Sequence, residues 1–569
     1  MLATQKTQTT RSWMTDLLFI SLALGLFYLF WLGLHPLFTP DEGRYSEVAR
    51  EMIVTGDYIT PRLNGVAFLD KPILYYWLQA SAIKLFGLKE WALRFWPAFI
   101  ALLGCVVTYV AGRCLFDRRA GILAAIVLAT NPLYYGAAHY ANLDLEVAVM
   151  ISNTLLFALL AFQAASDRQR TVFILLAYLF CALAVLTKGL IGCVFPILIA
   201  GSWIALLNRW NTLAKMRLLT GAGIFLVLTV PWYFLVQRAN PEFFHFFFVV
   251  QQMQRFLAQA DFNNPTPAWF YVPIVLAGFL PWSIFLFQAF IQQIKLVVKD
   301  RQHYSAELFL LVWAILVFSF FSFPKSKTVG YILPLFPALA LMVGRYLSQS
   351  WNKSGRAIFL ATLSFIILCI AVVAACLLVP HIKSVEMAHS LLPYLNDTAL
   401  LFSIGGIAGC FLLFSDNSLA KLVTCLTSVA VAFLLTLLAS ATAMNQKTTK
   451  PLAMQLKTIL TPQDEVVTFY RYYQDLPLYL ERRITIVADW HATDIMHNDN
   501  WVRELWFGMP FQDTSKWLIE EPAFWQRWNS DKRMFVLMNA QDYLGFSKKT
   551  KSYRLNEYDD VVLASNHLS

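Results

Sequence analysis

Carboxylates that could carry out chemistry lie at the ends of long apolar runs in this chain of 569 residues. Two adjacent acids, Asp41 and Glu42, follow Pro40 where the first apolar run ends, and Asp144 stands just before the run that begins at Leu145. A carboxylate can orient a nucleophile, accept a proton or stabilise positive charge that develops on a substrate carbon. The sequence therefore predicts Asp41, Glu42 and Asp144 as catalytic residues.

Basic side chains occur in similar positions, at the ends of apolar runs or in the loops between them. They are Lys71, Lys188, Arg255, Lys325 and Lys327. Arginine binds phosphate as a two-pronged donor and lysine binds it as a point charge. These residues predict an anionic ligand such as a phosphate.

The same residues also have structural interpretations. Asp41 could cap a helix running through residues 45–53, and Asp144 could be an ordinary interfacial charge or cap, with Glu146 a weaker candidate for its role. Lys188, Lys325 and Lys327 could extend to lipid headgroups. Local sequence leaves both interpretations open.

The composition defines the class of protein that must position these residues. Hydrophobic residues make up 58% of the chain and charged residues 14%, against roughly 25% charged in a soluble domain. The net charge of +10 comes from short basic loops rather than from a basic cluster with exposed aromatics, which argues against nucleic-acid binding. The eight cysteines show no C-x-x-C spacing, so neither a metal knuckle nor a disulfide framework is indicated.

The hydropathy pattern predicts thirteen transmembrane helices, because about 20 apolar residues cross a bilayer. The predicted spans are residues 13–34, 91–115, 120–135, 145–165, 172–186, 190–207, 218–236, 269–294, 308–323, 329–347, 358–379, 399–413 and 422–441. Every second loop is basic, which places the N-terminus in the cytoplasm.

An apolar stretch at residues 72–88 is predicted to be an interfacial helix, because counting it as a span would invert the charge pattern of all later loops. Lys84 would then lie at the headgroups, with Tyr75, Tyr76 and Trp77 as interfacial anchors. The outer, periplasmic segments are 38–90, 237–268 and everything after residue 444.

From residue 445 the composition becomes that of a soluble domain. Short β-branched runs at 465–470, 483–487, 533–538 and 561–563, with a helical pattern at 451–460, predict a small α/β domain over 445–569. It contains no glycine-rich phosphate loop. The predicted fold is thus an all-α polytopic membrane domain over 1–444, followed by a periplasmic α/β domain.

With this topology the carboxylates and the cations fall on one outer face. That arrangement suits a reaction in which cations stabilise a lipid-phosphate leaving group while a carboxylate assists at the sugar. A transporter or flippase is the alternative from another class. It would place charges at mid-span and interrupt helices at matching positions of two repeats, and neither feature is found.

Three motifs add a resemblance to a known family. They are Pro40-Asp-Glu-Gly-Arg44, Asp70-Lys-Pro72 with Tyr75-Tyr-Trp77, and the segment from Ser322 to Pro334 that contains Lys325, Lys327 and Tyr331. With them the whole chain resembles the bacterial lipid A aminoarabinose transferases, which belong to the protein-mannosyltransferase-like GT-C glycosyltransferases. The resemblance implies a bacterial inner-membrane enzyme.

The activity that the resemblance implies is transfer of 4-amino-4-deoxy-L-arabinose from undecaprenyl phosphate to a lipid A phosphate, with resistance to cationic peptides. It assigns catalysis to Asp41 and Asp144, with Glu42 and Arg44 in support, and the carrier phosphate to Lys71 and Arg255. The surrounding substrate cavity would include Tyr75, Tyr76, Lys188 and Tyr331, with Asp70 beside it. An acceptor phosphate is already anionic, so Asp41 would orient it or stabilise charge at the anomeric carbon.

Two departures from the family pattern bear on metals and on the substrate. Relatives often carry Glu-His where this chain has Gln251-Gln before the Gln-Arg-Phe motif, and Asp70 stands where glutamate is common. The sequence therefore predicts no cofactor and disfavours a divalent metal. Another polyprenyl-linked sugar, or a protein or glycan acceptor, is the rival within the enzyme class.

Overall fold

The computed structural model describes residues 2–254, 266–352, 355–382, 385–414, 418–445, 447–498 and 500–568. Its chain forms two compact units, each built from separated segments. The helical unit contains Met1–Leu34, Arg94–Val230 and Pro265–Met444. The sheet unit contains His35–Leu93, Pro231–Asn264 and Asn445–Ser569.

The helical unit consists of helices joined by short loops. Their bounds are Leu2–Leu29, Phe95–Leu115, Arg118–Ala129, Pro132–Ala138, Leu143–Phe162, Asp167–Lys188, Ile191–Leu207, Thr212–Lys215, Leu218–Ala239, Tyr271–Gly278, Leu286–Lys299, Ser305–Ser322, Phe336–Ser350, Arg356–Ile382, Val385–Phe414 and Leu419–Met444, with 3₁₀ turns at Ala268–Phe270, Trp282–Phe285 and Val329–Leu335. Each of the thirteen predicted spans coincides with a helix or a helix pair.

The protein crosses the membrane many times. Among the described residues, ten helices are long and apolar enough to span it, and two bent pairs raise the number to twelve if each pair crosses once. The one predicted span left over, residues 190–207, corresponds to the shorter apolar helix Ile191–Leu207. The total of thirteen therefore stays a prediction.

Both bends have a local cause. The first pair turns by 66° after Ala129, where the Asn131 side chain accepts the backbone N–H of Tyr134 and Pro132 starts the second helix. The second pair turns by 109° at a break that contains Pro281, which has no N–H to continue a helix. The predicted spans 120–135 and 269–294 are thus bent rather than straight.

The N-terminal helix is tied to the hairpin Phe95–Leu115 and Arg118–Ala129 by a buried carboxylate. Asp16 is 7% exposed and accepts hydrogen bonds from Arg113 at 2.5 Å, Arg118 at 2.6 and 2.7 Å, and Tyr109 at 2.8 Å. A buried charge needs such partners, since an unpaired one would be strongly destabilising.

The sheet unit contains two sheets. Its strands are β1 (Arg62–Leu63), β2 (Val66–Ala67), β3 (Glu465–Phe469), β4 (Thr485–Val487), β5 (Leu518–Ile519), β6 (Met534–Asn539), β7 (Tyr553–Tyr558) and β8 (Val561–Ser565). The larger sheet has the order β5-β4-β3-β6-β8-β7. The strands β5, β4, β3 and β6 are parallel to one another. β8 runs antiparallel to β6, and β7 runs antiparallel to β8.

Short helices cover the faces and ends of these sheets. They are Asp41–Thr55, Leu74–Phe86, Glu90–Leu93, Lys450–Ile459, Leu476–Leu480, Trp501–Trp506, Glu521–Trp528 and Ala540–Lys549, with shorter turns at Ile495–His497 and Met509–Phe511 and a π-helix at His245–Gln254. The four predicted strands and the helix at 451–460 are confirmed. Pattern reading missed β5, which is two residues long, and β7, which lies at the sheet edge and is mostly exposed.

The segment 35–93 packs on the α/β domain through ion pairs. Glu51 is 1% exposed and receives two hydrogen bonds from Arg483 at 2.7 and 2.8 Å. Within the helix Asp41–Thr55, Arg50 donates two further hydrogen bonds of 2.7 Å to Glu47, which lies beside Glu51. The compact units thus differ from the predicted division at residue 444, because the two predicted outer segments group with the C-terminal domain.

The predicted interfacial helix exists as Leu74–Phe86, but two of the three predicted lipid anchors, Tyr75 and Tyr76, are not exposed to lipid. Tyr75 and Tyr76 are buried in the protein, at 1% and 0% exposure. Trp77 donates its indole N–H to the carbonyl of Tyr58 at 2.9 Å, and the Lys84 ammonium lies 4.7 Å from the centre of the Tyr58 ring. Packing within the sheet unit therefore holds these side chains.

Candidate functional site

Asp41 opens the helix Asp41–Thr55 and forms an ion pair with Arg44, one turn further along. Pro40 occupies the N-cap position, so Asp41 is the first residue of the helix rather than its N-cap residue. Arg44 is paired on its other side with Glu504 from the helix Trp501–Trp506. Arg44 thus bridges two carboxylates, of which Asp41 keeps 29% of its side chain exposed.

Glu42 lies on the inner side of the same turn. It is fully buried and its Oε2 accepts the backbone N–H of Phe38 at 2.7 Å. This contact closes the loop that leads into the helix. It indicates that Glu42 positions Asp41 and Arg44.

Gly43 lets the start of this helix approach the backbone of the C-terminal domain. A Cβ at this position would lie 2.7 Å from the nitrogen of Asp475 and 2.9 Å from the carbonyl carbon of Gln474. Both are backbone atoms that cannot rotate away. The glycine between the acidic pair and Arg44 is therefore required by close packing.

Gly43→Ala is expected to lower both the melting temperature and the transfer rate. Overpacking of this kind costs ~1–3 kcal/mol, and the displaced turn carries Asp41 and Arg44. Thermal unfolding of the purified protein measures the effect. Gly136→Ala is the matched control, because a Cβ there meets no atom within 4 Å. An unchanged melting temperature for Gly43→Ala would show that the contact is not tight.

Aromatic side chains surround the Arg44 cluster. The rings of Tyr45, Tyr75 and Tyr76 have centroids 5.8 to 6.2 Å apart. Burial raises the pKa of Tyr76 well above its usual value, and the charge of Asp70 raises it further. Within the described part of the chain the Tyr76 hydroxyl has no hydrogen-bond partner. Its buried oxygen is thus available to a polar ligand.

Asp70 and Lys71 lie in the loop before the helix Leu74–Phe86. An Asp70 carboxylate oxygen lies 3.4 Å from the Gln251 amide nitrogen, and the Lys71 ammonium lies 3.3 Å from the Asp70 carbonyl. Arg255, the other predicted phosphate ligand, lies outside the described residues. The sheet unit therefore brings together Asp41, Glu42, Arg44, Asp70, Lys71, Tyr75 and Tyr76.

Glu504 is a site residue that sequence reasoning missed. It lies 460 positions after Arg44 and stands in no recognisable motif. Its helix, Trp501–Trp506, is capped by Asn500, whose side chain accepts hydrogen bonds from the backbone N–H groups of Val502 and Arg503. Only the packing of this helix within the sheet unit brings its carboxylate to Arg44.

Glu504→Gln is expected to lower the transfer rate about ten-fold or more, because hydrogen bonds to charged groups contribute ~1.5–3 kcal/mol. The lower end is expected, since Glu504 is 26% exposed and solvent weakens the pair. The measurement is the initial rate of sugar transfer in proteoliposomes. Glu481→Gln, which removes the carboxylate paired with Lys457 at the surface, should leave the rate unchanged. Equal rates for both variants would argue against a role for Glu504.

A second charged cluster lies in the helical unit. Asp144 is the second residue of the helix Leu143–Phe162, and the helix is capped by Asn142, which accepts the Asp144 N–H at 2.9 Å. Asp144 is thus not the cap. Its carboxylate pairs with Lys188, whose ammonium lies 4.1 Å from the centre of the Tyr331 ring. The predicted residues Asp144, Lys188 and Tyr331 therefore meet.

Gly330 makes the approach of Tyr331 to this pair possible. A Cβ on Gly330 would lie 2.6 Å from Oδ2 of Asp144 and 3.0 Å from its Cβ. The 3₁₀ turn Val329–Leu335 can therefore pass directly over the carboxylate. Lys188 and Asp144 keep 16% and 15% of their side chains exposed, which leaves a small face open.

Lys325 and Lys327, in the loop before this turn, differ in exposure. Lys327 is 9% exposed and donates to the carbonyl of Thr266 at 3.1 Å. Lys325 has an exposed side chain, while its carbonyl accepts two bonds from Thr266. Lys327 thus stabilises the loop, and Lys325 is free to follow a ligand or lipid headgroup.

The described residues provide no cluster of metal ligands. No group of three or more His, Cys, Asp or Glu side chains there has the geometry to hold a metal ion. The carboxylates of Asp41 and Glu504 are paired with Arg44, and that of Asp144 is paired with Lys188.

The sequence matches two protein families over separate ranges. Residues 28–247 match the family described as dolichyl-phosphate-mannose-protein mannosyltransferase. Residues 452–564 match the aminoarabinose transferase C-terminal domain. The first range includes both charged clusters except for Glu504 and Tyr331.

Two curated relatives are similar in sequence to more than half of this chain. The undecaprenyl phosphate-alpha-4-amino-4-deoxy-L-arabinose arabinosyl transferase of Erwinia tasmaniensis is 34% identical over 361 residues, covering 63% of this chain and 64% of that protein. The enzyme of the same name from Enterobacter sp. is 33% identical over 338 residues, covering 58% and 59%. The chain thus spans less than two thirds of the length of either relative.

The likeness in structure extends further than these alignments. The crystal structure of ArnT from Cupriavidus metallidurans bound to undecaprenyl phosphate matches with a TM-score of 0.85 and 26% identity, covering 98% of both chains. The chain therefore has the fold of the aminoarabinose transferases and resembles them both in its mannosyltransferase-type part and in its C-terminal domain.

Proposed function

We propose that the protein is a membrane glycosyltransferase that moves 4-amino-4-deoxy-L-arabinose from undecaprenyl phosphate to a phosphate of lipid A. The observation that carries the proposal is the partly open Asp41 carboxylate, held by an arginine that a second carboxylate fixes. The whole-chain likeness to an ArnT crystallised with undecaprenyl phosphate supports the choice of carrier lipid. The names of the curated relatives support the choice of sugar.

In this reaction the bond between the anomeric carbon and the carrier phosphate oxygen breaks. An oxygen of the acceptor phosphate forms the new bond, and undecaprenyl phosphate leaves with the electron pair. Positive charge develops at the anomeric carbon in such a transfer, and negative charge grows on the leaving phosphate. The acceptor needs no general base, because its phosphate is already ionised.

Asp41 would stabilise the positive charge or orient the acceptor, with Arg44 and Glu504 fixing its position. Asp144 would act in the same way at the second cluster, where its ion pair with Lys188 fixes its position. Glu42 is a positioning residue in this scheme. Preorganised charges of this kind contribute more in a site that excludes water than they would in solution.

The carrier phosphate would be bound by Lys71 and Arg255, which the family resemblance assigns to it. Lys325 is an additional candidate, because its side chain is exposed. Asp70, Tyr75 and Tyr76 would line the substrate cavity, with the buried Tyr76 hydroxyl offering a hydrogen bond. Tyr331 would line the substrate cavity beside Lys188.

We also propose an orientation of the chain in the membrane. The N-terminus would lie in the cytoplasm, and residues 38–90, 237–268 and the domain 445–569 would lie in the periplasm of the inner membrane. The basic loops between every second pair of predicted spans support this orientation. The membrane domain 1–444 would carry the catalytic residues, and the C-terminal domain would hold Arg44 through Glu504.

Mass spectrometry of lipid A tests the proposed function. Cells that express the protein should carry a pentosamine on the lipid A phosphates, and deletion of the gene should remove it and restore sensitivity to polymyxin-like peptides. Unchanged lipid A in cells that contain the protein would contradict the assigned acceptor. A mass shift on another glycan or on a protein in that experiment would indicate a related transferase with a different substrate.

A further inference from the structure

The larger sheet has a topological switch point in its parallel part. From β3 the chain moves to β4 and β5 on one side, whereas β6 pairs with the other side of β3. In open α/β sheets the connecting helices separate at such a point, which leaves a crevice beyond the carboxyl ends of the two strands. The crevice of this domain therefore lies after β3 and β6.

A cavity of about 320 Å³ occupies this place. It is lined by the end of β3 and the residue after it, by the helix that follows β5, and by the helix that follows β6. The residues that line it include Phe469, Tyr470, Trp525, Asp542, Gly545 and Lys549. The volume lies at the lower end of the range for small-molecule sites, roughly 300–1,000 Å³.

A carboxylate behind the cavity holds its aromatic side chains in place. Glu521 accepts hydrogen bonds from the Trp525 indole N–H at 2.9 Å and from the Tyr470 hydroxyl at 3.0 Å. Lys549 reaches the same carboxylate at 3.3 Å. Trp525 is also stacked on the buried ring of Phe546, with centroids 5.2 Å apart. The aromatic wall is thus rigid before any ligand arrives.

The rim of the cavity is polar and exposed. Gln541, Asp542 and Lys549 belong to one face of the helix Ala540–Lys549, and all three side chains are exposed. Tyr470, on the opposite side, is 41% exposed. Gly545 lies between these residues, and a Cβ there would meet no atom within 4 Å, so the missing side chain keeps the cavity open.

We propose that this cavity binds a saccharide ring. A sugar has apolar C–H faces that pack on aromatic rings and hydroxyls at its edge that bond to amides and charged groups, which matches a Trp–Tyr wall with a Gln, Asp and Lys rim. A nucleotide fits poorly, because the domain has no glycine-rich phosphate loop. The choice of a sugar rests on the proposed function, whose donor and acceptor both carry saccharides.

The test is saturation-transfer NMR on the full-length protein in detergent, with two probes. One is the methyl glycoside of 4-amino-4-deoxy-L-arabinose, which represents the donor, and the other is a deacylated glucosamine disaccharide, which represents the acceptor. Gly545→Leu fills the cavity, and Trp525→Ala removes its wall without adding volume. Each variant is expected to weaken binding of the recognised probe about ten-fold or more, as for a central aromatic contact.

Ser547→Leu is the matched control, because it adds the same side chain to the same helix at an exposed position outside the cavity lining. Its affinity should equal that of the wild type. Asp542→Ala, which changes an exposed residue of the rim, keeps the test decisive if either cavity variant destabilises the domain. The probe that binds identifies the source of the sugar, and binding of either probe that is lost in these variants supports the proposal.

Two results would overturn it. One is that neither probe binds the wild-type protein, and the other is that binding survives both cavity variants and disappears only in Asp41→Asn. Transfer activity is measured in the same samples. A wild-type protein that transfers sugar but shows no binding in this cavity would refute the saccharide site alone, whereas absence of transfer would refute the proposed function.

Discussion

Asp41→Asn is expected to lower the rate of sugar transfer by about 10²–10³-fold while the protein remains folded. The substitution keeps the size of the side chain and a hydrogen-bond acceptor for Arg44, but it removes the negative charge. If that charge stabilises the sugar in the transition state, kcat falls and KM changes little. The measurement is pentosamine transfer to lipid A in proteoliposomes, followed by mass spectrometry at several donor concentrations.

Asp57→Asn is a close control for this variant. Asp57 lies in the same segment, is 31% exposed against 29% for Asp41, and is likewise paired with an arginine, at 3.6 Å from Arg62. Its carboxylate also accepts the N–H groups of Ile59 and Thr60, which an amide oxygen can replace. Asp57→Asn should transfer sugar at the wild-type rate. Full activity of Asp41→Asn would remove Asp41 from the mechanism.

Asp144→Asn is expected to lower kcat by about 10²–10³-fold, which is typical for the loss of one preorganised electrostatic group. Asp144 and Lys188 form a pair with little exposure, and Tyr331 covers the ammonium group. Replacing the acid leaves Lys188 without its carboxylate. If the pair acts as a unit, Asp144→Asn combined with Lys188→Met will cost hardly more than the single change, because the two effects are not additive.

Asp167→Asn is the control for Asp144. Asp167 also stands in the first turn of an apolar helix, after the capping residue Ser166, and is paired with Arg170 at 2.6 Å. It differs in being 77% exposed, so its pair contributes little. Its replacement should change neither rate nor stability. Strictly additive effects of Asp144→Asn and Lys188→Met would show that the two residues act separately.

Local sequence was sufficient for properties that depend on composition or on neighbouring residues. Apolar runs predicted the membrane helices, because each helix satisfies its own backbone hydrogen bonds and needs only an apolar surface in lipid. Short β-branched runs predicted four of the six strands of the larger sheet. The pairs Asp41–Arg44 and Glu47–Arg50 lie three residues apart on one helix, so they too are local.

Tertiary structure alone decided the contacts between distant parts of the chain. Glu504 forms an ion pair with Arg44, the backbone of Asp475 packs against Gly43, and Arg483 forms an ion pair with Glu51. More than 400 residues separate the two members of each pair. Such contacts leave no periodic signal, since they depend on how separate segments fold back on one another. The sequence by itself therefore determined a polytopic membrane protein with acidic candidates for catalysis. The partners that hold those acids in place follow from packing, because a buried charge is retained only where another segment supplies its counter-charge.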